Sequence, residues 1–250
     1  MNELYKETLK FMEHAVNYFS GNVPPPKQVP FKDSFVFRYE EQSILQAIVQ
    51  KLARMVTSLH SIKVLTDNGL FQDQAAIQRM LDEFQEDILF LVYGLTNGEI
   101  TQIHKDYLDE FYKEEFDNQD SALKSTQKRG MVSRKKIRAY VSKINGQELD
   151  PSTGVELSRT INKAYSGFVH GASPHIMDMF GGIPPRFQVS GMLNTPREEE
   201  HRSDMWNYFY RSILAFGFAA KAFEDQSCFY KVIKFRNYFE KQSGVSYDKT

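Results

Sequence analysis

The sequence predicts an all-α protein: a single-domain bundle of about seven helices with an N-terminal extended strap and a Gly/Pro-rich loop around 171–194. Three observations carry that expectation. Apolar residues recur at i, i+3, i+4 and i+7 over long windows, as in Leu45, Ile48, Val49, Leu52, Met55, Val56, Leu59 and Ile62. Short Asn/Gly breaks separate the long periodic segments, which makes successive helices antiparallel neighbours. Before residue 180, only the strap carries a pattern that suits a short strand. No internal repeat, low-complexity tract or linker divides the chain. Residues 1–250 therefore read as one domain, with an N-terminal helix in 1–20, the strap in 21–40 and a helical core in 41–250.

The first helix, about Asn2 to Tyr18, spaces Leu4, Leu9, Phe11, Met12, Val16 and Phe19 by threes and fours, as a surface helix does. Gly21 and the run Pro24, Pro25, Pro26 stop it, because proline lacks an amide hydrogen and clashes with the preceding turn. The strap then reaches about Tyr39, with Phe31, Phe35 and Phe37 expected against the body of the protein. Helices from about Glu41 to Thr66 and from about Gln72 to Leu95 follow, joined at Asp67-Asn68-Gly69, where left-handed backbone is tolerated. A third long segment, Glu99 to about Phe116, is acidic, and the stretch from Ser121 to Ile144 is basic.

Asp150-Pro151-Ser152 opens a further helix that runs to about His170 and ends at Gly171. The stretch from Ser173 to Asn194 has few helix formers after Phe180 and predicts an irregular loop. Thr195 as cap, Pro196 in the first turn and Glu198 in a capping box predict the next helix start. Its face of Trp206, Phe209, Tyr210, Ile213, Gly217 and Ala220 includes two residues small enough to admit a close neighbour. A last helix runs from Asp225 to about Phe239.

Composition narrows the function. A hydrophobic content of 41% excludes a wholly disordered chain, and a net charge of −1 excludes a surface that coats nucleic acid or membrane throughout. The one cysteine, Cys228, excludes an intramolecular disulfide and any zinc site built mainly on thiolates. Acids interrupt the N-terminal segment from Glu3 onward, and no stretch approaches the roughly 18 apolar residues of a membrane span. The expectation is a cytoplasmic protein without membrane contact. A di-iron bundle needs two Glu-x-x-His motifs, whereas the chain has Glu198-x-x-His201 alone. Zinc-protease, phosphate-loop, hydrolase and dinucleotide signatures are absent too, so no metal and no cofactor are expected.

Three constellations carry candidate chemistry. Arg79, Glu83 and Asp87 stand four residues apart on one side of a helix, and Asp87 edges the stripe of Ile77, Met80, Leu81, Phe84, Ile88 and Leu91. They read as an ion-pair ladder or, with a carboxylate partly buried, as an acid or base contributed by Glu83 or Asp87. In the second constellation Arg159, Lys163, Ser166 and His170 share a helix face, opposite Leu157, Ile161, Ala164, Tyr165 and Phe168, and Tyr165, Ser166 and His170 crowd the helix end. Arg159 and Lys163 would hold a phosphate there while His170 moved a proton; the alternative is a solvated face whose histidine the helix dipole favours. The third is the basic run at 124–143, in which Arg134, Lys135, Lys136 and Arg138 would track an RNA backbone. The same run would equally neutralise the acidic helix that precedes it.

Leu59-His60-Ser61-Ile62-Lys63 with Asn68-Gly69, Gln78-Arg79-Met80-Leu81-Asp82-Glu83, and Tyr165-Ser166-Gly167-Phe168-Val169-His170 resemble an uncharacterised bacterial family of helical proteins of unknown function. The resemblance covers most of the chain from the first long helix onward and implies a helical fold. Through it the chain resembles, at a distance, the HEPN helical ribonucleases of toxin–antitoxin and phage-defence systems. Their motif is an arginine followed four to six residues later by a histidine, a spacing met here by Arg54 and His60, with Met55 where the family usually has a polar residue.

Two functions are carried forward. The first is action through a partner protein or through self-association as a homo-oligomer. The alternative, implied by the resemblance, is metal-independent RNA binding or cleavage. A small-ligand pocket between helices, around Asp87, Glu83 and His170, is a third class.

Overall fold

A computed structural model of the protein describes residues 1–118, 121–127, 130–145 and 165–246. The chain runs through α1 (Asn2–Ser20), β1 (Lys27–Phe31), β2 (Ser34–Arg38), α2 (Ile44–Asp67), α3 (Phe71–Thr96), α4 (Gln102–Tyr112) and α5 (Arg134–Asn145). It continues through a helical stretch at 165–169 (α6), α7 (Ser173–Met177), β3 (Phe180–Gly181), β4 (Arg186–Phe187), α8 (Glu198–Ala222) and α9 (Gln226–Ser243). The fold is mostly helical, as the periodicity predicts. Among the described residues it has nine α-helical segments, one 3-10 turn at Ala122–Lys124 and two small hairpins, where about seven helices and one irregular loop were expected.

The two longest periodic segments pair as expected. Ser43 and Gln46 form a capping box at the start of α2, the Ser43 hydroxyl accepting from Gln46 N (3.2 Å) and Gln46 Oε1 accepting from Ser43 N (3.0 Å). At the α2–α3 turn, Gly69 has φ +72°, and a Cβ there would stand 2.7 Å from the backbone nitrogen of Leu193. Only glycine satisfies both the left-handed turn and that close approach.

α8 lies along α3 in the same direction, since Gln74 reaches His201 while Asp82 and Gln85 reach Tyr208 and Arg211. α9 folds back on α8 where the small face predicts it, with Gly217 directly below Val232 and Phe229. Asp225 caps α9 by accepting from Cys228 N at 2.8 Å. α1 closes the far side through Tyr5 on Phe209 and Phe11 stacked on Phe235.

The core centres on Met12, Phe19, Ile48, Leu52, Met55, Leu59, Ile62, Phe209, Ile213, Phe216 and Phe239, all essentially inaccessible. Each such side chain contributes about 1.5–3 kcal/mol relative to exposure. None of the helices among the described residues is long and apolar enough to cross a membrane.

Four expectations need correction. The strap is a β-hairpin turning at Lys32-Asp33, with Pro30 opposite Phe35 and Gln28 opposite Phe37. Its strands satisfy each other's backbone groups, so Phe35 and Phe37 pack on one another in the open instead of against the body. The acidic helix is shorter than predicted at both ends: it starts at Gln102, where Thr101 and His104 form its cap, and stops at Tyr112. The Gly/Pro-rich region is ordered by its own bonds into α7 and the β3–β4 hairpin, with Gln188 bonded to Met179 O and Gly181 O. Finally, Thr195 does not cap α8: its hydroxyl donates to Met192 O (2.6 Å), and Glu198 accepts from Asn194 N (2.6 Å). The helix predicted from Asp150 to His170 lies mostly outside the described residues.

Candidate functional site

α3 carries acids on two sides, toward α2 and α5 and toward α8, and each group becomes a buried polar cluster. Toward α2 and α5, Asp87 is only 2% exposed and accepts from Lys51 Nζ at 2.7 Å and from Arg134 Nη1. Arg134 also donates to Glu86 Oε2 (2.8 Å) and to the Glu83 carbonyl (3.1 Å), and Arg138 Nε donates to Glu86 Oε1 (2.9 Å). The planar guanidinium of Arg134 binds three acceptors and that of Arg138 a fourth, which joins α5 to α3 where a lysine would not.

Beside this cluster is a cavity of about 200 Å³, lined by Lys51, Asp87, Glu110 and Arg134 and by the apolar walls Phe84, Phe111, Val132 and Ile137. The Lys51 ammonium stands 5.3, 5.8 and 5.1 Å from the ring centroids of Phe84, Tyr107 and Phe111, a cation held between aromatic faces. Tyr107 also lines the cavity, and burial pushes its phenol far above the ordinary value. It therefore stays protonated, and is able to donate, across the physiological range.

Toward α8 lies a second seam. Asp82 pairs with Arg211 and accepts from Tyr208 (3.2 Å); Arg211 also donates to Gln85 Oε1 (2.7 Å). One turn earlier Gln78 is fully buried, and next comes Gln74, which accepts from Thr66 and donates to His201 O (2.8 Å). Tyr165 donates to Asp204 at 2.6 Å on the same face of α8. Burial raises the Asp82 carboxyl, against the pull of Arg211, and lowers the His201 imidazole.

The expected site residues divide accordingly. Arg79 and Glu83 form the i,i+4 pair read from their spacing (2.6 Å), while Asp87 takes Lys51 and Arg134 as its partners. Among the described residues of the basic run, Arg134 and Arg138 go to α3, where they pair with Glu86 and Asp87. Lys135 and Lys136 face outward.

Arg159 and Lys163 lie outside the described residues. Of the remaining members of that constellation, Tyr165 turns to Asp204, Ser166 is half-buried and His170 is exposed. The segment carrying His170 is tied to the start of α3 by the bond from Gln72 to His175 O (2.8 Å). That is about 22 Å along the axis from Asp87 at 1.5 Å per residue, so His170 does not join Glu83 and Asp87. Arg54 and His60 also look different ways, Arg54 over the Phe84 ring and His60 to Glu13 of α1 at 2.7 Å. Among the described residues no group of three or more His, Cys, Asp or Glu is placed to hold a metal ion.

Sequence reasoning missed Lys51, Tyr107, Glu110, Gln78, Asp82, Tyr208 and Arg211. Two signals were present. Lys51 sits one helical turn from both Ile48 and Met55, a charge on the buried side of α2. Gln74, Gln78 and Asp82 make a second polar file at four-residue spacing on α3. Comparison of the chain with protein-family models, with curated proteins and with solved structures finds no match.

Proposed function

We propose that this is an interaction protein that assembles with a second copy of itself through the apolar projection formed by residues 169–193. The observation that carries the reading is the exposure of apolar side chains along this one segment: Val169, Met177, Phe180, Ile183, Phe187 and Val189, the last 76% exposed. Phe180 and Phe187 are cross-strand partners with rings 5.0 Å apart, and Ile183 is fully exposed in the turn between their strands.

The segment is anchored at both ends, by Gln72 on His175 O and by Met192 N on Gly69 O (2.8 Å), and Arg197 ties Asp178 across it (2.8 Å). Ordering it for binding therefore costs little additional entropy. Apolar surface concentrated in this way marks an interaction site, and a net charge of −1 leaves no strong repulsion between copies.

Light scattering coupled to size exclusion tests it. The wild-type protein is expected to show mass that grows with concentration, and Ile183→Asp with Phe187→Asp to remain monomeric with unchanged Tm, because neither residue is buried. A wild-type protein that stays monomeric throughout overturns the self-association, and retention of one specific different protein on the same residues would replace the second copy.

A further inference from the structure

The cavity beside Asp87 has three polar atoms that are shut off from bulk water and have no hydrogen-bond partner: Tyr107 Oη, Glu110 Oε2 and Arg134 Nε. Native proteins satisfy nearly all such groups, so three around one cavity point to something that belongs between them. Tyr107 itself is only 8% exposed. Two of the three atoms are donors and the third is a carboxylate acceptor, which is the complement of a molecule with one carboxylate and one ammonium. Gly130 lies directly over the Glu110 carboxylate: a Cβ there would stand 2.7 Å from Glu110 Oε1.

Charge balance narrows the class. The lining holds two cations, Lys51 and Arg134, and three acids, Glu83, Asp87 and Glu110, of which Glu83 is already paired with Arg79 outside the lining. Two positive charges thus face two negative ones. A lone buried ion would upset that balance at high desolvation cost, whereas a zwitterion adds no net charge. Size narrows it again: a cavity of about 150 Å³ takes benzene, and here about 200 Å³ is bounded by Phe84, Phe111, Met131, Val132 and Ile137.

We propose that this cavity binds a free α-amino acid with a medium-sized apolar side chain. Its carboxylate is taken by Tyr107 and Arg134, its ammonium by Glu110, and its side chain by the aromatic and aliphatic wall. The site is independent of the assembly surface, and its occupancy can be read on the monomeric Ile183→Asp/Phe187→Asp protein as well as on the wild type.

The test is a thermal-shift screen of the twenty standard amino acids at millimolar concentration, followed by calorimetric titration of any that act. Leucine, isoleucine, valine or methionine is expected to raise Tm, and the N-acetyl and carboxamide forms of the same amino acid to bind at least tenfold more weakly. Tyr107→Phe and Glu110→Gln are each expected to weaken binding at least tenfold. Both variants should fold with a ligand-free Tm close to that of the wild type, because Glu110 Oε2 makes no bond in the free protein and Tyr107 gives up only its contact with the Asp87 carboxylate, which Lys51 and Arg134 still hold. No shift with any of the twenty, or binding that survives both blocked forms or both substitutions, overturns the proposal.

Discussion

Gly94 shows how much one missing side chain decides. The His104 ring stacks on Phe90 (centroids 4.0 Å apart), its Nε2 lies 3.1 Å from Phe90 O, and its Nδ1 accepts from Thr101 N. Those bonds set the proton on Nε2, and the ring lies directly over Gly94, where an added Cβ would stand 2.7 Å from Nε2. Replacing glycine by alanine inside a helix ordinarily gains about 1 kcal/mol. Here Gly94→Ala should instead lose about 1–3 kcal/mol, because a flat, doubly bonded ring on a packed surface has nowhere to move. Chemical denaturation measures it, and a stabilised variant would show that the ring is not seated there. Neither residue's role was legible in the sequence: a glycine inside a helical period reads only as a weak spot, and His104 reads as a surface residue of an acidic helix.

At the scale of elements, α5 is the informative case. Its sequence, with Arg134, Lys135, Lys136 and Arg138, reads as a basic face for RNA or for the acidic neighbour. In the fold its two arginines are ties to α3, while Ile137 enters the core. Arg134→Met should cost about 3 kcal/mol, because it strips one of two cations from a buried carboxylate. Hydrogen exchange should show protection lost over α5 and kept over α2. Protection unchanged over α5 would mean that Arg134 is not what docks it.

The long helices were legible to within a few residues: α2 starts at Ile44 where Glu41 was read, and α3 starts at Phe71 where Gln72 was read. A short strand in the strap was legible too, but its pairing into a hairpin and the order in the region after Gly171 were not. Pro and Gly say that a helix stops, and pairing of strands across the turn then decides whether the stretch is loose or a hairpin.

For the whole molecule, pH is the simplest probe. His104 and His201 are buried in separate parts of the fold, and burial lowers both imidazoles from the ordinary value. As pH falls below about 6.5 the unfolded chain takes up protons that the folded chain refuses, so stability present above that pH is lost as pH falls through the folded values. Asp82, whose carboxyl is raised by burial, acts the other way: its contribution is complete below the unfolded carboxylate value and lost as pH rises through the folded one. With two histidines against one carboxylate, Tm should fall from pH 7 to pH 5, and His201→Gln should flatten that slope. A slope identical to the wild type would show that His201 titrates normally.

The sequence by itself determined the long helices and the α2–α3 turn. Those features depend on residue types within a turn or two of one another. Tertiary structure alone decided which charges meet. Lys51, Asp87 and Arg134 are 36 and 47 residues apart in the chain. Their junction depends on how far each helix is rotated and slid when it docks, which is set by the packing of whole apolar faces and is contained in no local window of residues. The net charge of −1 hides the same distinction: its acids and bases cancel partly by neighbourhood in sequence, as in Arg79 with Glu83, and partly by helices meeting, as in α5 with α3.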